Sequence, residues 1–124
     1  MGAPFIIHFI KGHEMKTISV PLSSEAMKRL DLDECLLGDL EEPQLPEEHY
    51  AKLLQSGVLE KINSSLGKLI DECEDESIQG NTKLTKSLDI LTNAYEHTKL
   101  EVLEKIITLN KLAPRSKTGL FFYF

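Results

Sequence analysis

From Asp71 to Glu76 the chain reads Asp-Glu-Cys-Glu-Asp-Glu, a dense run of carboxylates around one thiol. Carboxylates at this density could hold a hard cation, move protons, or meet a basic protein. A calcium or magnesium site needs several oxygens fixed in one small volume. Here the run closes an apolar helical stripe, and consecutive helical residues point around a cylinder without converging. A second acidic stretch places Asp31, Asp33 and Glu42 at the first, third and twelfth positions of a calcium loop. Its fifth position is Cys35, and its sixth is Leu36, where the loop's sharp turn requires glycine. No metal is expected at either place.

Other residue types point no more strongly to catalysis. His8, His13, His49 and His97 show no metal-binding spacing, and Cys35 and Cys73 form no C-x-x-C pair. His8 reads as a core or sheet histidine, and the two cysteines as small, partly buried thiols. Ser65 and Lys68 match S-x-x-K, but a four-residue match is common by chance and S-D-N is absent. A K-T-G triplet occurs at Lys117–Gly119, in a terminal loop. There is no phosphate-binding glycine loop, no dinucleotide fingerprint and no nucleophile elbow. The expectation is therefore no enzyme, no catalytic residue and no cofactor.

Charge carries the strongest signal. The chain has 124 residues and a formal net charge of −6. Residues 25–80 hold 15 acids against 5 bases, whereas residues 81–124 hold 4 acids against 7 bases. An acidic middle of this kind repels nucleic acid and attracts basic proteins. The partner-binding pool is Asp31, Asp33, Glu34, Asp39, Glu41, Glu42, Glu47, Glu48, Asp71, Glu72, Glu74, Asp75 and Glu76, with Tyr50 as an aromatic anchor beside Glu47 and Glu48.

Elements must position those acids. Length and composition suit one domain over residues 1–124 with a real core. The apolar run Pro4–Ile10 reads as a buried strand, with Lys11–Glu14 as a turn. Met15 is an alternative start, in which case residues 1–14 are an accessory extension. Met15–Val20 alternates as a half-buried strand ended by Pro21. Ser23 caps a helix carrying Ala26, Met27 and Leu30. A connecting segment with Gly38, Pro43 and Pro46 follows, pinned by Leu36, Leu37 and Leu40. Pro46 opens a second helix that ends at Gly57.

A third helix is expected over about 58–73, on the stripe Leu59, Ile62, Leu66, Leu69, Ile70 and Cys73. Its acidic end opposes the helix dipole, and Ser77–Asn81 breaks it. Residues 82–111 carry the clearest helical period, from Leu84 through Leu91 to Val102 and Leu109. A capping box at Thr98–Glu101 divides them near His97, and Pro114 ends the second half. The last residues, Gly119–Phe124, hold three of the five Phe and read as a strand. That strand pairs with residues 5–10 or with residues 16–20, which ties down a chain end that would otherwise fray.

The fold class expected is α+β, a small, mostly antiparallel sheet from the two chain ends packed against four or five helices. The function expected is a non-catalytic protein-binding module. The most direct form is an acidic inhibitor of a basic protein, as in bacterial immunity proteins that neutralise nuclease-type toxins. Its setting is the cytoplasm, with no nucleic-acid partner and no membrane span. Two alternatives stay open: an adaptor or homodimer built on the long C-terminal helix or the aromatic strand, and a small enzyme without a visible motif.

Overall fold

A computed structural model describes residues 16–124. The expected strand over 4–10, the turn over 11–14, His8, His13 and the alternative start at Met15 lie outside the described residues. Within them the elements run β1 (Lys16–Pro21), α1 (Ser24–Asp31), β2 (Leu40–Glu41), β3 (Gln44–Leu45) and α2 (Glu47–Ser56). They continue as α3 (Val58–Leu66), β4 (Asp75–Gln79), α4 (Asn81–Thr98), α5 (Glu101–Ser116) and β5 (Gly119–Tyr123). This is the expected α+β architecture, with every strand pair antiparallel.

The sheet order is β2-β1-β5-β4, and β3 also pairs with β1. The aromatic C-terminal strand is therefore internal. Ile18 lies opposite Phe122 on one side, and Glu76 lies opposite Phe122 on the other. Successive side chains of a strand alternate between faces. Leu120, Phe122 and Phe124 join Ile18, Val20 and Ile78 in the main core beneath α2–α5. Phe121 and Tyr123 turn to the second face, where Leu30, Leu40 and Cys35 pack on them. A strand buried on both faces has no polar alternation, which is why its sequence is continuously apolar. The main-chain junction between the two ends is held by Thr118, whose hydroxyl donates to the Pro21 carbonyl at 2.6 Å. Gly119 is the close-approach residue, since a Cβ there would sit 2.6 Å from Gln79 Cγ and 2.9 Å from the Ile78 carbonyl.

The helix starts follow the local chemistry. Ser23 caps α1, its hydroxyl accepting the Ala26 N–H at 3.0 Å. Pro46 precedes α2, and Gly57 at φ 77° both ends α2 and begins α3. The α4–α5 pair is registered by a buried polar group: the Asn110 amide donates to the Leu84 carbonyl at 3.0 Å and its oxygen meets the Ser87 hydroxyl.

Several boundaries differ from the sequence expectation. The third helix stops at Leu66, because Gly67 takes the left-handed conformation at φ 67°. Asn63 then holds the departing chain by exchanging side-chain hydrogen bonds with both backbone groups of Ile70, at 2.8 and 3.0 Å. Ile70 is still buried, but Leu69 is 57% exposed and Cys73 is exposed. The carboxylate run thus leaves no helix C-terminus. It forms a loop and then strand β4, recruited by pairing with β5 and by burial of Ile78. The last two helices divide at Lys99, at φ 55°, two residues beyond His97. The Thr98 hydroxyl does accept the Leu100 N–H, but Leu100 is the capping position. Pro114 lies inside α5 and does not end it; the helix closes at Lys117, at φ 58°.

Candidate functional site

The connection after α1 is where charge, exposure and shape come together. Lys28 and Arg29 occupy the last turn of α1, where cations suit the dipole. Beyond it the chain turns through Asp33 at φ 57°, a conformation that Asp tolerates better than most residues. Cys35 is fully buried between Leu30 and Tyr123 and fixes the loop to the sheet. Burial, followed by the charges of Asp39 and Glu42, pushes its thiol up to about 11. Asp39, 8% exposed, anchors the far end of the loop. It accepts from Arg29 Nε at 2.7 Å and Nη2 at 2.8 Å, and from the Leu36 N–H at 2.8 Å. Arg29, in the first place, holds the Asp39 carboxyl below the usual range.

Around these two anchors the segment after α1 turns its apolar side chains outward. Leu37 is 82% exposed and Leu32 is 64% exposed, with exposed Asp31, Asp33 and Glu34 around them. The sequence expectation that Leu36 and Leu37 pin this segment is corrected: Cys35 and the half-buried Leu40 do so. Exposed leucines standing among acids match the anatomy of a protein contact, an apolar centre with a charged rim.

Beside the loop lies a groove of ≈550 Å³ between α1 and β4. Phe121 and Tyr123 line it, near-parallel rings with centroids 6.4 Å apart, Tyr123 only 6% exposed beneath Leu30 and Cys35. Met27 and Leu30 form the α1 wall, and Asp31, Asp33 and Asp75 also line the groove; Glu76 borders it but, opposite Phe122, turns its side chain to the other face. The acids bear on Tyr123 electrostatically. Burial first, then the charges of Asp75, Glu42, Cys35 and Asp33, raise the Tyr123 phenol well above the usual tyrosine range. The groove residues thus come from three parts of the chain, the end of α1, the start of β4 and the middle of β5.

The structure sorts the acidic pool. Asp31, Asp33 and Asp75 line the groove, and Glu34 is exposed nearby in sequence on the same loop. Asp39 lies inside the fold against Arg29, and Glu42 accepts from the Ser19 hydroxyl, so both hold the fold together. Glu76 also has structural work. Its carboxylate accepts the Leu69 N–H and the Ser77 N–H, each at 2.9 Å, and stands 3.8 Å from Lys68 Nζ. Burial pushes its acid strength down, but those two N–H groups and Lys68 outweigh burial and keep its pKa below the ordinary value. Glu41, Glu47, Glu48, Asp71, Glu72 and Glu74 are exposed. Glu72 reaches Lys16 at 3.6 Å.

Tyr50 is corrected as a partner anchor. Only 6% exposed, it packs edge-on against Phe124 at 5.0 Å, with Lys16 Nζ 4.8 Å from its ring centroid. Its size is used inside the fold, and it presents no ring for a partner. Met27, Leu32, Leu37, Phe121 and Tyr123 are the site residues that sequence reasoning missed. The signal for the last two was the strand alternation itself, since Phe122 toward the helices forces both neighbours to the other face.

No group of three or more His, Cys, Asp and Glu suited to a metal ion occurs among the described residues. The two cysteines are free, one buried and one exposed. Native-state alkylation is therefore expected to label Cys73 within minutes and to spare Cys35 until the protein is unfolded. Intact-mass analysis after iodoacetamide gives the answer, and two adducts on the native protein at the early time point would contradict the burial. No helix among the described residues is long and apolar enough to cross a membrane. Comparison of the chain with protein-family models, with curated proteins and with solved structures finds no match.

Proposed function

We propose that this chain is a non-catalytic protein-binding module, an acidic inhibitor of a basic protein. The observation that carries the reading is the loop after α1, where Leu32 and Leu37 stand exposed among Asp31, Asp33 and Glu34. Acids accelerate encounter with a basic partner, and a desolvated apolar centre supplies the affinity. An immunity-type role against a cytoplasmic nuclease suits this chemistry, because a protein that binds nucleic acid carries the basic surface such an acid rim fits.

The adaptor alternative has less support in its aromatic-strand form. β5 is flanked by β1 and β4, so its backbone offers no free edge.

The test is capture of partners from host lysate on immobilised protein, followed by kinetics with each basic protein recovered. The association rate is expected to fall by about tenfold or more between low and high salt. Leu37→Ala, at a position already solvent-exposed, is expected to weaken the complex by about tenfold with unchanged stability. For a nuclease partner, activity should fall to zero at a one-to-one ratio. A salt-insensitive homo-oligomer as the only product would overturn the inhibitor reading.

A further inference from the structure

Apolar exposure is concentrated at one place in this fold. Six large hydrophobic side chains are exposed among the described residues, and four of them, Leu22, Leu32, Leu36 and Leu37, lie just after β1 or in the segment after α1. Three of the four gather at Asp39. The Leu22 N–H donates to the Asp39 carbonyl at 2.8 Å, the Leu36 N–H donates to its carboxylate at 2.8 Å, and Leu37 lies in the turn between Leu36 and Asp39. That turn is tight. The Asp39 N–H donates to the Leu36 carbonyl at 3.0 Å, and Gly38, at φ 90°, takes the third position, where a type II turn needs glycine. Leu37 occupies the second position, at the tip, and is 82% exposed. The Arg29–Asp39 pair and the buried Cys35 hold the turn in place. Leu37 is thus presented before any partner arrives, which lowers the ordering cost of binding.

We propose that Leu37 is the knob on which the basic partner docks an amphipathic helix, its apolar stripe laid over Leu22, Leu36 and Leu37 and its flanking lysines or arginines facing the acids of the same segment. This rests on the inhibitor reading above and deepens it by naming the partner's element. Charge selects the partner. Residues 25–42 hold 7 acids against 2 bases, and one acid and one base of these, Asp39 and Arg29, pair with each other. Asp31, Glu34 and Glu41 are exposed on that segment. An acidic ligand, or a second copy of this chain, would bring like charges together there. Geometry selects the helix. Among the described residues the neighbouring outer strand, β2, is two residues long, too short an edge for a partner strand to extend. Contact then falls to side chains. A helix presents its own at i, i+3, i+4 and i+7, and the hole between such residues accepts a knob.

The probe is a blocked leucine–lysine peptide about four helical turns long, with its leucines in one stripe. It is titrated into ¹⁵N-labelled full-length protein at low salt. Two control peptides are run alongside: the same composition scrambled so that the stripe is lost, and the striped pattern with serine in place of leucine. Chemical-shift changes are expected at Leu22, Leu36, Leu37, Gly38 and Glu41. The striped peptide is expected to bind about fivefold or more tighter than either control. Leu37→Ser should weaken it by about tenfold. Leu54→Ser removes an exposed leucine of α2, outside the patch, and should leave binding within about twofold. Glu34→Gln removes one rim charge and should weaken binding by about twofold.

Equal effects of Leu37→Ser and Leu54→Ser, a scrambled peptide as tight as the striped one, or no binding by the striped peptide would each overturn the helix site. So would a self-associating protein that Leu37→Ser turns into a monomer, because the patch would then belong to a second copy. Amide shifts within residues 1–15 on Leu37→Ser in the peptide-free protein would give the patch to this chain's own N-terminal segment and overturn the proposal too. The inhibitor reading is tested separately: a captured basic partner that loses affinity with Leu37→Ser, although the striped peptide does not bind, keeps that reading and removes the helix.

Discussion

Phe122→Ala is expected to remove about 3–5 kcal/mol of folding stability, the range for deleting a buried aromatic ring. Phe122 is fully buried in the internal strand. Its ring meets Phe124 edge-on at 5.7 Å, and Phe124 in turn meets Tyr50 at 5.0 Å. The cavity left behind would be bounded by Ile18 and Glu76 backbones on either side, both fixed by the sheet ladder, so it cannot readily collapse. A domain of this size has only about 5–15 kcal/mol of stability in total. The variant should therefore unfold at a much lower denaturant midpoint, or be only partly folded at 37 °C. Urea titration followed by far-ultraviolet circular dichroism measures it. Phe121→Leu, on the half-covered second face, is the comparison and should cost less than half as much. Equal losses at both positions would mean that the two sheet faces are not packed as described.

The same strand shows what in this fold could be read in advance. A C-terminal run of Leu, Phe, Phe, Tyr and Phe has no helical period and strong strand preference. Its need for a partner brought the alternating Lys16–Val20 segment to it, and the ladder pairs Thr17, Ile18 and Ser19 with it as the pattern requires. The α4 and α5 stripes were equally clear, since Leu84, Leu91, Val102, Leu103, Ile106 and Leu109 recur at helical spacing and are all buried. Such elements are legible because burial of a periodic apolar face decides them locally.

β4 was not legible for the opposite reason. Asp75-Glu76-Ser77-Ile78-Gln79 offers one good strand former, and acids are depleted in strands. Its conformation comes from a neighbour more than forty residues later in the chain, and only Ile78 is drawn fully into the core. Among the described residues β4 is an outer strand, and charge there discourages pairing with other chains. The groove inherited this difficulty. Its acids were in the pool, but composition could not tell that Asp33 and Asp75 would line one groove while Asp39 turned inward. Nor could it tell that Leu37 would be left outside when Cys35 took the buried place. Apolar residues are usually assigned inward, and an exposed leucine becomes visible only once the inside is full.

Asp39→Ala is expected to destabilise the protein by about 1–2 kcal/mol at pH 7 and to weaken partner binding as well. The carboxylate makes two hydrogen bonds to the Arg29 guanidinium and accepts the Leu36 N–H, closing the loop that carries Leu37. Arg29 is partly exposed, so solvent takes up some of the lost pairing, which keeps the figure at this level. The sign with pH is fixed by the direction of the shift. Arg29 holds the folded-state pKa of Asp39 below its unfolded value. The stabilising contribution is then fully present above the unfolded value, about 3.9, and is lost as pH falls through the lower folded value. Glu76, also lowered, adds to the same acid-side loss. Wild type and Asp39→Ala should therefore differ most at pH 5–7 and approach each other toward about pH 2. Asp39→Asn, which keeps an acceptor for the Leu36 N–H, should lie between them at neutral pH. Thermal unfolding of the three proteins at pH 7, 5 and 3 gives the comparison. A gap that stayed constant with pH would show that the residue acts by its shape alone, and that the charge pair does not hold the loop carrying Leu37 in place.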